Sequence, residues 1–168
     1  MNEKNNQDKS LPPGFIQHPA HFLALGFGSG YMPHMPGTAG TVVGVICYLP
    51  ISGLGLLAYI SLVFVLFILG VALCHKTATD LAVHDHGAIV WDEMVGYLVT
   101  MIAAPAGWAW IIAGFVLFRL FDIWKPWPIN WSDRAVSGGI GIMLDDVFAA
   151  VYAMAILQIS AYLLYSYS

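Results

Sequence analysis

Five carboxylates lie within or beside segments of this sequence that are otherwise apolar. They are Asp92, Glu93, Asp122, Asp145 and Asp146. An ionised carboxylate in or near hydrocarbon costs several kcal/mol unless a cation, a metal ion or water compensates it. We therefore expect all five to converge on one metal site, with Asp92, Glu93, Asp122 and Asp146 carrying the catalysis. Because these ligand atoms are all oxygens, the pattern favours Mg²⁺.

Four of the acids form two adjacent pairs, and each pair leaves an alternative. Asp145 and Asp146 are predicted at the start of a helix, where the helix dipole stabilises negative charge. Two neighbouring carboxylates repel each other, however, so a divalent cation explains the pair better. Asp92 and Glu93 point about 100° apart on a helix. One metal ligand with one structural partner therefore fits this second pair as well as two ligands do.

The polar segment TDLAVHDHG offers a different metal. It places Asp80, His84, Asp85 and His86 close together. Zinc is the alternative there, although the spacing matches no strong zinc-binding pattern. Asp85 is a secondary candidate for the magnesium site.

Three charged residues in FRLFDIWK share one helical face. Arg119, Asp122 and Lys125 are spaced i, i+3 and i+6. They could form a salt-bridge ladder at the helix end. Alternatively, Arg119 binds phosphate oxygens with its planar guanidinium, Lys125 adds a second positive charge and Asp122 faces the metal. Arg134, in the following loop, is a third candidate phosphate ligand.

Two glycine-rich segments, GFGSG at residues 26–30 and PGTAG at residues 36–40, lead into a helix. Such a loop can present backbone N–H groups to an anion, and we name Ser29, Gly37 and Thr38 as candidate phosphate ligands. The alternative is that the glycines serve only turns and close helix packing.

The composition indicates the elements that position these groups. Hydrophobic residues make up 59% of the chain and charged residues 10%, against about half and a quarter in soluble proteins. We expect an integral membrane protein without a nucleic-acid partner or a removable signal sequence. Residues 1–14 read as a flexible polar tail and 15–168 as one membrane-embedded domain. The predicted fold is an all-α polytopic bundle of about five to six helices, at residues 39–49, 54–76, 88–104, 108–124 and 142–165.

The connections between these helices place the candidate groups together. If residues 39–76 and 88–124 form two hairpins, then residues 15–37, 75–93 and 119–146 emerge on one face. All six Lys and Arg residues lie in these parts or in the N-terminal tail. The positive-inside rule makes this face cytoplasmic.

Four stretches carry a resemblance to a known family. They are GFGSGYMPHMPGTAG, DLAVHDHGAIVWDEMVG, FRLFDIWKPWPI and DRAVSGGIGIMLDDVFAA. Together they resemble the phosphatidylglycerophosphatase A family of bacterial phospholipid synthesis, from about Pro19 to Ala153. Ala150 departs from the glycine usual in the family's last motif. The resemblance implies a Mg²⁺-dependent phosphatase of the bacterial cytoplasmic membrane that converts phosphatidylglycerol phosphate to phosphatidylglycerol. It also implies an all-α bundle with one central helix.

The chain lacks the DxDxT order of phosphatases that form an aspartyl phosphate. We therefore expect direct attack by a metal-activated water, with a carboxylate as base. The alternatives are an ion-coupled membrane transporter, in which the buried acids relay ions, and a non-catalytic membrane subunit.

Overall fold

All regular structure in the described part of the chain is helical, which confirms the expected fold class. The computed structural model describes residues 11–83, 85–127, 129 and 136–166. The helices are α1 (Pro19–Ala24), α2 (Pro36–Ile51), α3 (Leu56–Leu81), α4 (Trp91–Thr100), α5 (Trp108–Trp124) and α6 (Gly138–Ser166). Short 3₁₀ segments cover Phe15–Gln17 and Gly26–Tyr31. The expected flexible tail falls mostly on residues 1–10, which lie outside the described part.

Helices α2 and α3 are both longer than expected. Helix α2 begins at Pro36, because proline is tolerated in the first helical turn, and it includes Pro50 near its end. Its 16 residues span about 24 Å, so it is not the short piece that the sequence predicted. Helix α3 continues past residue 76 to Leu81 and ends at Ala82, which has a left-handed conformation (φ 53°).

Helices α4 and α6 have different bounds from those predicted. Helix α4 begins at Trp91 rather than at residue 88, because the Ile89 N–H donates to the His86 carbonyl in a preceding turn (2.7 Å). It ends at Thr100 rather than at 104, and Ala103 has a positive φ of 54° that breaks the helix. Helix α6 begins at Gly138, about one turn earlier than expected.

The centre of the bundle is helix α4, which contacts α2, α3, α5 and α6. Most of its residues are buried. Its polar atoms find carbonyl partners on the neighbouring helices: Trp91 Nε1 donates to Leu66 O of α3 (3.2 Å), and the Tyr97 hydroxyl donates to Ile111 O of α5 (3.2 Å). This arrangement agrees with the central helix that the family resemblance implied.

The outer surface of the bundle is apolar. Exposed large side chains occur on several helices, including Ile46 on α2, Phe64 on α3, Ile112 on α5 and Ile159 on α6. Two helices, residues 56–81 and 138–164, are long and apolar enough to cross a membrane.

Candidate metal and phosphate site

Three of the predicted carboxylates come together between two helices. Asp92 and Glu93 lie in the first turn of α4, and Asp146 projects from α6. One oxygen from each lies within 4.8 Å of the others. The helices meet closely here, because a Cβ added at Gly96 would lie 3.2 Å from the Asp146 Cβ and 2.7 Å from the Phe118 ring. Position 96 of α4 therefore has to be a glycine, because a side chain there would collide with the Phe118 ring.

The cluster contains buried oxygens that no described residue satisfies. Asp92 Oδ1, Glu93 Oε2 and Asp146 Oδ2 are inaccessible and have no hydrogen-bond partner within the described part of the chain. A buried unpaired carboxylate is costly, and a bound cation is the usual compensation. Three convergent carboxylates are the donor set of a hard divalent cation, so the residues fit such an ion.

The helix dipole accounts for a different pair than expected. Because α6 begins at Gly138, Asp145 and Asp146 lie beyond its first turn, which contains no acidic residue. The dipole therefore cannot explain them, since its effect falls off within one turn. It does favour Asp92 and Glu93, which occupy the first turn of α4.

Arg119 connects the cluster to the end of α5. Its Nη1 forms a short ion pair with Asp122 and lies 3.9 Å from Glu93 Oε1. Its Nε is buried and has no hydrogen-bond partner among the described residues. The structure therefore combines the two sequence interpretations: Arg119 and Asp122 form one step of a ladder, and the same guanidinium lies beside the metal-site candidates.

Lys125 forms an ion pair with a carboxylate of another helix. It ends α5 in a left-handed conformation (φ 44°), and its Nζ lies 2.6 Å from Asp145 Oδ2 on α6. Asp122 and Asp145 are thus ion-paired with cations. Among the described residues, Asp92, Glu93 and Asp146 are the one set of potential metal ligands whose oxygens lie close together.

The start of α2 lies directly against these groups. A Cβ added at Gly37 would overlap Glu93 Oε1 and would lie 3.0 and 3.1 Å from the two terminal nitrogens of Arg119. The first turn of α2, which also includes Thr38, has no side-chain cap. Its N–H groups therefore keep the capacity to bind an anion. The close packing and the anion-binding readings of PGTAG are compatible here.

The remaining candidates are placed differently. Ser29 packs beside Gly26 and Val90, ahead of α4, and its Oγ is buried without a partner among described residues. Asp85 lies in the connection between α3 and α4. Arg134 falls outside the described residues.

The zinc alternative receives no support from the described residues. His86 Nδ1 accepts the Ala88 N–H (3.2 Å). Asp80 is engaged by His21 and Lys76, at 2.7 and 2.8 Å. His84 lies outside the described part. In the described part of the chain, the one group of His, Cys, Asp and Glu side chains close enough to hold a metal ion is the Asp92, Glu93 and Asp146 cluster.

Sequence reasoning missed the contact between His21 and Asp80. It links α1 to the end of α3 across 59 positions, and no local pattern reports such a pair. The other ring nitrogen, Nδ1, lies 3.0 Å from the Phe15 carbonyl. The contact anchors the segment that precedes α2.

Comparison with known proteins agrees with the four motifs. The family model described as "PgpA: Phosphatidylglycerophosphatase A" matches residues 22–161. The chain is 48% identical over 143 residues to phosphatidylglycerophosphatase A of Escherichia coli K12, covering 84% of this chain and 83% of that protein. It is 48% identical over 158 residues to phosphatidylglycerophosphatase A of Haemophilus influenzae, covering 91% and 93%.

A more distant relative carries a different name. A Bacteroides thetaiotaomicron protein, provisionally named a phosphatidylinositol-3-phosphatase, is 34% identical over 151 residues, covering 84% of this chain and 93% of that protein. No solved structure matches the chain. The family match and the two relatives at 48% identity each cover more than four fifths of the chain, and the chain therefore belongs to the phosphatidylglycerophosphatase A family.

Proposed function

We propose that this protein hydrolyses phosphatidylglycerol phosphate to phosphatidylglycerol and phosphate in the bacterial cytoplasmic membrane, with Mg²⁺ as cofactor and the site facing the cytoplasm. The observation that carries the proposal is the buried cluster of Asp92, Glu93 and Asp146 beside Arg119. The cluster lies within the region that matches the family.

Magnesium is supported by the chemistry of the donors. Asp92, Glu93 and Asp146 offer only carboxylate oxygens, which suit Mg²⁺ better than zinc. Cys74 is buried but is not grouped with them. When bound, the ion would neutralise charge on the phosphoryl oxygens and activate the attacking water.

Phosphate binding is supported by the groups that border the cluster. Arg119 can hold two phosphate oxygens with one planar group, and Gly37 packs against that guanidinium. The uncapped first turn of α2 offers backbone N–H groups at Gly37 and Thr38. Lys125 and Arg134 are further candidates, and the ion pair with Asp145 would hold Lys125 in place.

In the proposed reaction a water oxygen forms a bond to phosphorus, and the bond from phosphorus to the terminal glycerol oxygen breaks. A carboxylate of the cluster accepts the proton from the attacking water, and this proton then passes to the departing glycerol oxygen, which becomes a hydroxyl of phosphatidylglycerol. Arg119 stabilises charge that develops on the equatorial phosphoryl oxygens. Asp122, paired with Arg119, orients the guanidinium and keeps its charge close to Glu93.

A membrane location is supported by the surface of the two long helices. Only 22% of the apolar window of α3 and 28% of that of α6 are buried within the protein. The core helix of a soluble protein would be mostly buried, so these faces are suited to lipid. The cytoplasmic orientation rests on the placement of Lys and Arg described above.

The test is phosphate release from phosphatidylglycerol phosphate by protein purified in detergent micelles. EDTA should abolish release, Mg²⁺ and Mn²⁺ should restore it, and Zn²⁺ should not. Full activity after exhaustive chelation would remove the metal mechanism. An unchanged rate in Asp146→Asn would contradict a ligand role for Asp146.

Phosphatidylinositol 3-phosphate is the second candidate substrate, because of the name of the 34% identical relative. Both lipids present a phosphomonoester to the same groups. Equal amounts of the two in one micelle would compete directly, and we expect phosphatidylglycerol phosphate to have the higher kcat/KM. Preference for the inositol lipid would overturn the substrate assignment and leave the metal site intact.

A further inference from the structure

An exposed apolar surface lies on the segment ahead of α2. We call residues 22–35 the aromatic segment. Its large exposed side chains, each between 41% and 57% accessible, are Phe22, Phe27, Tyr31, Met32 and Met35. No Asp, Glu, Lys or Arg occurs between residues 11 and 75. A run of exposed apolar side chains in a stretch without charged residues indicates a partner surface.

The backbone at the tip of this segment is held in an unusual conformation. Phe27 has φ 58° and ψ 26°, in the left-handed region. An aromatic residue there costs on the order of 1 to 2 kcal/mol. The conformation leaves the Phe27 ring 47% exposed, in edge contact with Phe22 at 5.6 Å between ring centroids. Strain that keeps an apolar ring in the open points to a role for that ring.

The segment is held at two points by the connection between α3 and α4. The Val90 N–H donates to the Ala24 carbonyl (2.9 Å). A Cβ at Gly30 would overlap the Ala88 carbonyl oxygen, so the two backbones are in contact. Both contacts involve the connection that leads into the first turn of α4, where two of the clustered carboxylates lie. The aromatic segment therefore borders the candidate site.

The patch is continuous with the apolar face of α2. Met35 precedes the helix, and the exposed residues Val42, Ile46 and Leu49 follow on it. Their spacing of four and three residues places them on one helical stripe. A surface that lacks charge and runs onto an apolar helix face fits a lipid leaflet, which requires no charge complementarity. Tyrosine and phenylalanine are typical of that boundary.

We propose that the aromatic segment inserts into the boundary between acyl chains and headgroups of the leaflet that holds the substrate. It thereby sets the depth at which the phosphate site meets the lipid. The identity of the substrate rests on the function proposed above, whereas the insertion does not.

The insertion is tested by spin labels in vesicles of phosphatidylethanolamine and phosphatidylglycerol. Labels on Phe27→Cys and Met32→Cys, in a background without Cys47 and Cys74, should be more accessible to oxygen than to a water-soluble nickel chelate. Gln17→Cys, exposed in the preceding 3₁₀ segment, should show the reverse. Leu57→Cys, at an 81% exposed position of α3, calibrates the hydrocarbon signal. Labels at residues 27 and 32 that behave like the one at 17 would overturn the proposal.

The consequence for catalysis needs a second pair of variants. Phe27→Asn removes the ring while tolerating a positive φ, and Leu54→Asn is its control. Leu54 is 44% exposed in the turn after α2. Phe27→Asn should raise KM for long-chain phosphatidylglycerol phosphate in mixed micelles about tenfold, with kcat within about twofold. A water-soluble short-chain analogue should be unaffected.

Failure of the proposed membrane insertion and failure of the proposed function would give different results. Equal effects of Phe27→Asn on both substrates, or an equal effect of Leu54→Asn, would contradict the docking role. Absence of turnover with either substrate in the unsubstituted protein would remove the proposed function, and the label depths would still decide whether the segment inserts.

Discussion

Gly37→Ala is the change that most directly tests the arrangement of the site. The added methyl would overlap Glu93 Oε1 and would lie 3.0 Å from Arg119 Nη1. Both obstructing groups are the far ends of flexible side chains, so they can move aside with little cost to folding. They are also the groups that we propose to bind the metal ion and the phosphate. The variant should therefore fold and should lose activity.

The size of the loss follows from the displacement. To reach ordinary contact distance, the carboxylate of Glu93 has to move by roughly 1 Å, and a misplacement of that size can cost about a hundredfold in rate. We expect kcat/KM for phosphatidylglycerol phosphate to fall ten- to a hundredfold, which corresponds to about 1.4 to 2.8 kcal/mol. Alanine is favourable in a helix, so the unfolding temperature should hardly change.

Gly53→Ala is the matched control, because a Cβ at Gly53 meets no atom within 4 Å. It lies in the turn after α2, away from the site. Activity and unfolding temperature of both variants should be measured in the same detergent. Near-normal kcat/KM in Gly37→Ala would refute the reasoning, since it would mean that Glu93 and Arg119 need not occupy their observed positions.

Other changes separate charge from shape at the site. Asp146→Asn should fold and insert but retain less than about one tenth of the activity at saturating Mg²⁺, because an amide is a poorer ligand; higher activity contradicts a ligand role. Arg119→Lys should lower kcat/KM about ten- to a hundredfold, and a normal value would leave Arg119 only its pairing role. Lys125→Met should unfold more easily, and adding Asp145→Asn should recover about 1 kcal/mol; additive losses would exclude coupling of the pair. Inorganic phosphate should bind more tightly with Mg²⁺ present than in EDTA, as measured by isothermal titration calorimetry, and equal binding in the two conditions would argue against a metal-dependent phosphate site.

The helices were predictable because their signals are local. Long apolar stretches and the glycines after residue 51 are read directly from the sequence. The start of α2 at Pro36, three residues before the predicted start, was not. The bounds of α4 were not, because its ends depend on the turn at Ile89 and the positive φ of Ala103. These conformations are set by tertiary packing, which a propensity argument does not contain.

Three acids of the candidate site were singled out from the sequence, whereas the partners of the other two were not. Unusual acids in an apolar chain mark Asp92, Glu93 and Asp146 as functional candidates, and they lie together. Asp145 faces Lys125, whereas its neighbour Asp146 faces the cluster. The rotation of α6 against α5 decides which of the two acids faces which group. A rotation of that kind is decided by packing, such as the contact of Gly96 with Phe118.

The charges of the site explain why cation and substrate should depend on each other. Asp92, Glu93, Asp122, Asp145 and Asp146 carry five formal negative charges, whereas Arg119 and Lys125 supply two positive charges. The described residues therefore leave a net formal charge of −3, and a phosphomonoester brings further negative charge. In a partly buried site such repulsion is weakly screened. Arg119 and the first turn of α2 alone would not overcome it. The divalent cation that we propose at the three unpaired oxygens would offset this charge and allow the acidic site to accept a phosphate.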